Sequence, residues 1–64
     1  MSEPYLLQFF EYSHLPEHLQ KVSKPYSLLA QLLVELTPAN PEQTTALRKL
    51  LESKDSAVRA AIFK

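Results

Sequence analysis

Apolar residues recur at alternating steps of three and four between positions 16 and 36. This spacing is typical of one face of an α-helix. Pro16 suits the first helical position, and Glu17 then lies at the positive end of the helix dipole. We therefore predict a helix over residues 16–36. Its apolar stripe comprises Leu19, Val22, Tyr26, Leu29, Leu32 or Leu33, and Leu36.

Pro25 interrupts the predicted helix. A proline inside a helix lacks the backbone N–H and clashes with the carbonyl four residues earlier. We expect it either to kink the helix or to separate residues 16–23 as a turn of their own.

A second helix is predicted over residues 42–63, after a turn at residues 37–41. Asn40 suits the N-cap and Pro41 the N1 position, and Gln43 completes a spacing similar to a capping box. The apolar stripe of this helix is interrupted by a lysine. It comprises Ala46 or Leu47, Leu50 or Leu51, Lys54, Val58, and Ala61 or Ile62.

Residues 1–15 form an aromatic arm that is too apolar for an exposed tail, so it must dock on a surface. Tyr5–Phe10 can form one or two helical turns. Residues 12–14 are expected to be extended, since they precede Leu15 and Pro16 and a residue before proline avoids the helical region.

Together these elements predict an all-α, single-domain chain: an antiparallel helical hairpin after a short aromatic arm. The absence of glycine disfavours an all-β fold, since tight strand turns depend on it. Leu28, Leu32, Leu33 and Leu51 widen the apolar surface beyond one seam. We therefore expect a homo-oligomer. The alternative is a monomer in which the arm folds back over this surface.

The composition argues against several classes of site and partner. The 64 residues include no cysteine, which excludes disulfides and thiolate metal sites. The formal net charge is zero, so we expect no duplex DNA as partner. No apolar run is long enough for a membrane span, and no signal peptide is recognisable, so we expect a cytoplasmic protein that contacts no membrane.

The residues suggest no catalytic or metal chemistry. His14 and His18 have a metal-ligand spacing, but Leu15 and Pro16 lie between them and no third ligand is placed to help. No serine has a base or an oxyanion loop at a recognisable spacing, so we expect no enzyme and no cofactor. The carboxylates Glu52 and Asp55 are expected to form surface ion pairs. Their expected partners are Arg48, Lys49 and Arg59.

Aromatic and basic residues provide the most interesting candidate chemistry, because bases bind by stacking and phosphates bind to Lys or Arg. The candidates are Tyr12, His14, Lys21, Lys24, Arg48 and Lys49. On residue types alone, a structural interpretation is favoured, in which Tyr12 packs on the hairpin and the cations are solvated.

Two segments resemble a known family. Residues 41–62, PEQTTALRKLLESKDSAVRAAI, are similar to the ending "RE.S.AL.KL.EA...A..AI" of a family of bacteriophage helical hairpins, and FEYSHLPEHLQ is similar to that family's entry into its first long helix. The family comprises the anti-CBASS and related anti-Thoeris sponges. The resemblance implies a homohexamer that sequesters cyclic di- or trinucleotides between protomers without cleaving them. It also implies phage or prophage origin and action in the bacterial cytoplasm against CBASS-type signalling.

The resemblance implies roles for individual residues. Tyr12 corresponds to the family's base-stacking tyrosine, with His14 nearby; Lys24 corresponds to a basic residue facing the phosphates. Lys49 corresponds to the lysine of "AL.KL", with Arg48 beside it. The chain departs from the family at Ser27, Pro25 and Glu42-Gln43, where a second basic residue, an ordinary helix former and an arginine-containing pair are usual.

Two other functions compete with a sponge. One is a small helical protein–protein adaptor or phage accessory subunit. The other is a helix-turn-helix DNA binder, which ranks last because the connecting turn is proline-rich and the second helix is nearly charge-balanced.

Overall fold

The computed structural model describes residues 5–63. A 3-10 helix spans Tyr5–Phe10, and two α-helices follow, α1 over Glu17–Leu36 and α2 over Pro41–Ile62. No strand occurs in this range. The two long helices pack against each other as a hairpin, which confirms the predicted all-α hairpin. The first four residues of the predicted arm lie outside the described residues.

Helix α1 runs without interruption through Pro25. The predicted separation of residues 16–23 is therefore wrong. Pro25 deprives only the Lys21 carbonyl of its helical donor. Both residues are exposed, so water can bind that carbonyl. At the start of the helix Pro16 is the N-cap rather than the first helical residue, and its carbonyl accepts from the N–H groups of Leu19 and Gln20.

The turn between the helices is fixed by side-chain hydrogen bonds. The Asn40 Oδ1 accepts from the Gln43 N–H at 2.8 Å, with Pro41 as the first residue of α2, which confirms the predicted N-cap. The Gln43 side chain, however, does not complete a capping box. Its Nε2 donates to both the carbonyl and the Oγ1 of Thr37, each at 3.0 Å. The buried glutamine thereby ties the end of α1 to the start of α2.

Three small residues, together with the predicted Leu19, form the most buried face of α1. Ser23, Ser27 and Ala30 are buried at steps of four and three, and Leu47 of α2 is fully buried. Small side chains let two helix backbones approach closely. The predicted stripe is therefore wrong at Leu29 and Leu36, which are exposed. Of the alternatives Leu32 and Leu33, Leu32 is exposed and Leu33 packs against the core.

The aromatic arm docks on the hairpin of its own chain. Leu6 and Phe10 are buried in the core together with Ala30 and Leu47. After the 3-10 helix the chain turns, and the Leu15 N–H donates to the Tyr12 carbonyl at 3.0 Å. The expected extended conformation is thus wrong for Ser13 and His14, which lie in this turn, since the following proline restricts only the residue directly before it.

Candidate functional site

A cleft of about 390 Å³ lies between the arm and the C-terminal half of α2. It is large enough for a small organic ligand. We call it the arm–α2 cleft. It is lined by Gln8, Phe9, Glu11, His14, Leu15, Lys54, Asp55, Val58 and Arg59. It contains both cationic and anionic side chains, so its character is mixed rather than purely phosphate-binding.

Lys54 is the buried cation of this cleft. Its Nζ donates to the Phe9 carbonyl at 2.7 Å and lies 3.6 Å from Asp55 Oδ1. It also lies 6.0 Å from the centre of the Phe10 ring, at the limit of a cation–π contact. The lysine that interrupts the apolar stripe of α2 therefore fastens the arm to the hairpin. Its charge is compensated inside the chain.

Two exposed side chains, His14 and Arg59, line the same cleft. Arg59 Nη2 donates to Ser56 Oγ at 3.1 Å. A guanidinium has five N–H donors, so one such contact leaves it able to bind an anionic group. Arg59 was not among the residues predicted to bind a ligand.

The predicted surface ion pairs of α2 are wrong. Within residues 5–63 the salt bridge that forms is Lys54 with Asp55. Glu52 pairs with neither Arg48 nor Lys49. Side chains this exposed gain little by holding one geometry, which explains why the spacing alone is a poor guide.

A second cleft, of about 590 Å³, lies between the 3-10 helix and α1. Its charged lining residues are Glu11 and Glu35, both acidic, and the rest are polar or apolar. Carboxylates repel phosphates, so this cleft does not suit a nucleotide phosphate.

The residues predicted to bind a ligand do not converge within one chain. His14 lines the arm–α2 cleft, whereas the other four line neither cleft. Tyr12 is half-buried, and Lys24 is exposed on α1. Arg48 and Lys49 are exposed on α2. Arg48 lies seven residues before Asp55, which lines the arm–α2 cleft, and seven residues correspond to about 10 Å along a helix.

Sequence reasoning missed Lys54 and Phe9 as a structural pair and Arg59 as a cleft residue. The signal for Lys54 was present, since a lysine in an apolar stripe must bury its charge or disrupt the packing. Its partner is a backbone carbonyl 45 residues away, and no sequence pattern identifies such an acceptor.

A contiguous apolar surface covers the side of α1 that faces away from the hairpin. Leu28 and Leu32 are 56% and 46% exposed and lie two positions on either side of the fully buried Ala30. Two positions correspond to about 200° around a helix, so both leucines lie opposite the core. We call this surface the outer leucine face. It comprises Leu28, Leu29, Leu32 and Leu36.

Comparison with protein-family models, curated proteins and solved structures finds no match to this chain. Among residues 5–63, no helix is both long and apolar enough to cross a membrane. The same residues contain no group of three potential metal ligands from His, Cys, Asp and Glu.

Proposed function

We propose that this chain binds cyclic di- or trinucleotides and sequesters them without cleavage, in crevices between copies of itself. Its biological effect is to block CBASS-type antiphage signalling in the bacterial cytoplasm. The observation that carries the proposal is the resemblance of residues 41–62 and of the FEYSHLPEHLQ segment to the phage sponges. The helical hairpin agrees with the fold that this resemblance implies.

Two structural features support a ligand site between chains. The outer leucine face is apolar and unpartnered in the single chain, which favours association with another surface. Lys24, Arg48 and Lys49 are exposed, so their charges are accessible to phosphates. A second chain can bring together cations that one chain keeps apart, as inter-subunit sites commonly do.

Calorimetric titration with a panel of cyclic di- and trinucleotides tests the proposal. We expect at least one to bind with a dissociation constant in the micromolar range or below. Lys24→Gln and Arg48→Gln should weaken this binding about tenfold or more, since each removes a charge-assisted hydrogen bond. Glu52→Gln is the matched control on the exposed surface of α2 and should leave affinity unchanged.

The fate of the ligand separates sequestration from hydrolysis. Heat denaturation of the loaded protein should release the ligand intact, as judged by chromatography. Flat thermograms across the whole panel would refute the proposal, and a cleaved product would refute its non-enzymatic part.

A protein–protein adaptor is the second candidate, and the outer leucine face favours it too, because a foreign helix can cover such a surface. The adaptor predicts a monomer or dimer in isolation and a stable complex with a partner protein. It also predicts that no nucleotide is retained through purification. Native mass by light scattering discriminates first: a mass near six protomers favours the sponge.

A further inference from the structure

We propose that the outer leucine face pairs with the same face of a second copy, with the two α1 helices antiparallel about a two-fold axis. The pairing rests on the proposed function in one respect, that copies of the chain associate. It goes further by assigning the face, the direction and the register of one interface.

Four leucines make the outer side of α1 apolar. Leu36 is 72% exposed, and Leu28, Leu29 and Leu32 are each about half exposed, although the opposite side of α1 is packed on α2 and the arm. A helix that is apolar on both sides is characteristic of one that is covered on both sides. An isologous contact covers the centre of the face with the identical apolar surface of the second copy.

Charge complementarity identifies the second copy as the occupant and sets the direction. Lys24 and Glu35 are exposed, and eleven residues, about three full turns, separate them, so they lie on one flank of the outer leucine face. When two helices pair antiparallel, residues on corresponding flanks meet. Lys24 of each copy then lies beside Glu35 of the other.

The register of this ion pair agrees with that of the leucines. The midpoint between Lys24 and Glu35 is position 29.5, and the midpoint between Leu28 and Leu32 is position 30. One two-fold axis therefore relates both the ion pairs and the leucine contacts. It places Leu28 against Leu32 of the second copy and closes two symmetric ion pairs.

Charge reversal and its rescue test the pairing. Light scattering over a concentration series, without nucleotide, should show that the natural chain associates. Lys24→Glu alone places two acids together and Glu35→Lys alone places two lysines together, so each should raise the dissociation constant about threefold or more. The double variant should restore association to within about twofold, because the pair is re-formed with its signs exchanged.

Two further variants keep the test decisive. Leu32→Glu should abolish association, and Glu52→Lys, exposed on α2, should leave it unchanged; circular dichroism confirms that each variant remains helical. A natural chain that is monomeric at about 1 mM would overturn the pairing. So would association that is insensitive to Leu32→Glu, or single reversals that the double variant does not rescue.

The outcome is separable from that of the nucleotide titration. If the chain pairs through this face but binds no cyclic nucleotide, the pairing stands and the sponge function is refuted. If the chain binds nucleotide but its self-association is insensitive to the charge reversals, the pairing is refuted and the sponge function stands.

Discussion

Single polar side chains cap a helix, join the two long helices and attach the arm. Asn40 caps α2, Gln43 joins the two helices through Thr37, and Lys54 fastens the arm through the Phe9 carbonyl. Each satisfies a backbone group at a helix end that has no partner within its own helix. In a chain with so small a core, such contacts are a substantial share of the net stability.

Asn40→Ala removes the acceptor for the Gln43 N–H and should lower the free energy of unfolding by about 1 kcal/mol. Urea denaturation followed by circular dichroism measures this change. Asn40→Asp keeps a side-chain oxygen at the same position and should stay close to the natural chain. Equal losses in both variants would show that the cap contributes nothing.

Lys54→Met keeps the aliphatic volume but removes the donor to the Phe9 carbonyl. A hydrogen bond from a charged group contributes about 1.5–3 kcal/mol, so the arm should open more often. Hydrogen exchange read by mass spectrometry should be faster in residues 5–11 and nearly unchanged in residues 26–33. Lys21→Met, on the exposed side of α1, is the control. Unchanged protection of the arm would contradict the role given to Lys54.

At the scale of the elements, α1 has a buried side of small residues and an exposed side of leucines. Its inner side carries the buried Ser23, Ser27 and Ala30, and its outer side carries the exposed leucines. Periodicity identified the helix but not its orientation, because both sides fit a 3.6-residue repeat. Leu29 and Leu36 were assigned to the core, yet both are exposed and the smaller Ser27 and Ala30 are buried.

Pro25→Ala should stabilise the chain, since α1 is continuous through this residue and alanine restores the N–H that the Lys21 carbonyl lacks. The interior cost of proline is about 3 kcal/mol, part of which is offset by the greater flexibility of the unfolded alanine variant. We therefore expect a gain of about 1–2 kcal/mol and a higher melting temperature. A loss of stability would indicate that the proline is required in its place.

For the whole molecule, the arm completes a core that two helices alone leave open. Phe10 is 1% exposed and lies with Leu6 against Ala30 and Leu47. The arm therefore covers part of the hairpin within one chain, on a different side from the outer leucine face. The outer leucine face is thus left open by the arm.

Phe10→Ala should unfold the isolated chain. Removing a buried phenylalanine costs about 3–5 kcal/mol, which is close to the entire stability of a domain this small. Phe9→Ala, next to it but half exposed, keeps the backbone carbonyl that binds Lys54 and should cost far less. Thermal melts at one fixed protein concentration compare the two, and similar melting temperatures would contradict the placement of Phe10 in the core.

Sequence alone determined the helices, the turn and its cap, because these depend on local spacing, proline positions and side-chain hydrogen bonds within a few residues. It also indicated that a lysine belongs to the apolar stripe of α2. Of the predicted ligand residues, only His14 was brought to a cleft. The positions of the others relative to one another depend on how the helices rotate and pack.

Tertiary structure decided which side of α1 is inside, where the arm docks and what Lys54 binds. These features depend on contacts between residues far apart in the chain, such as Lys54 with Phe9, and on side-chain size at the helix interface. Periodicity specifies that a helix has an apolar side, but only the fit of one surface to another selects between two such sides.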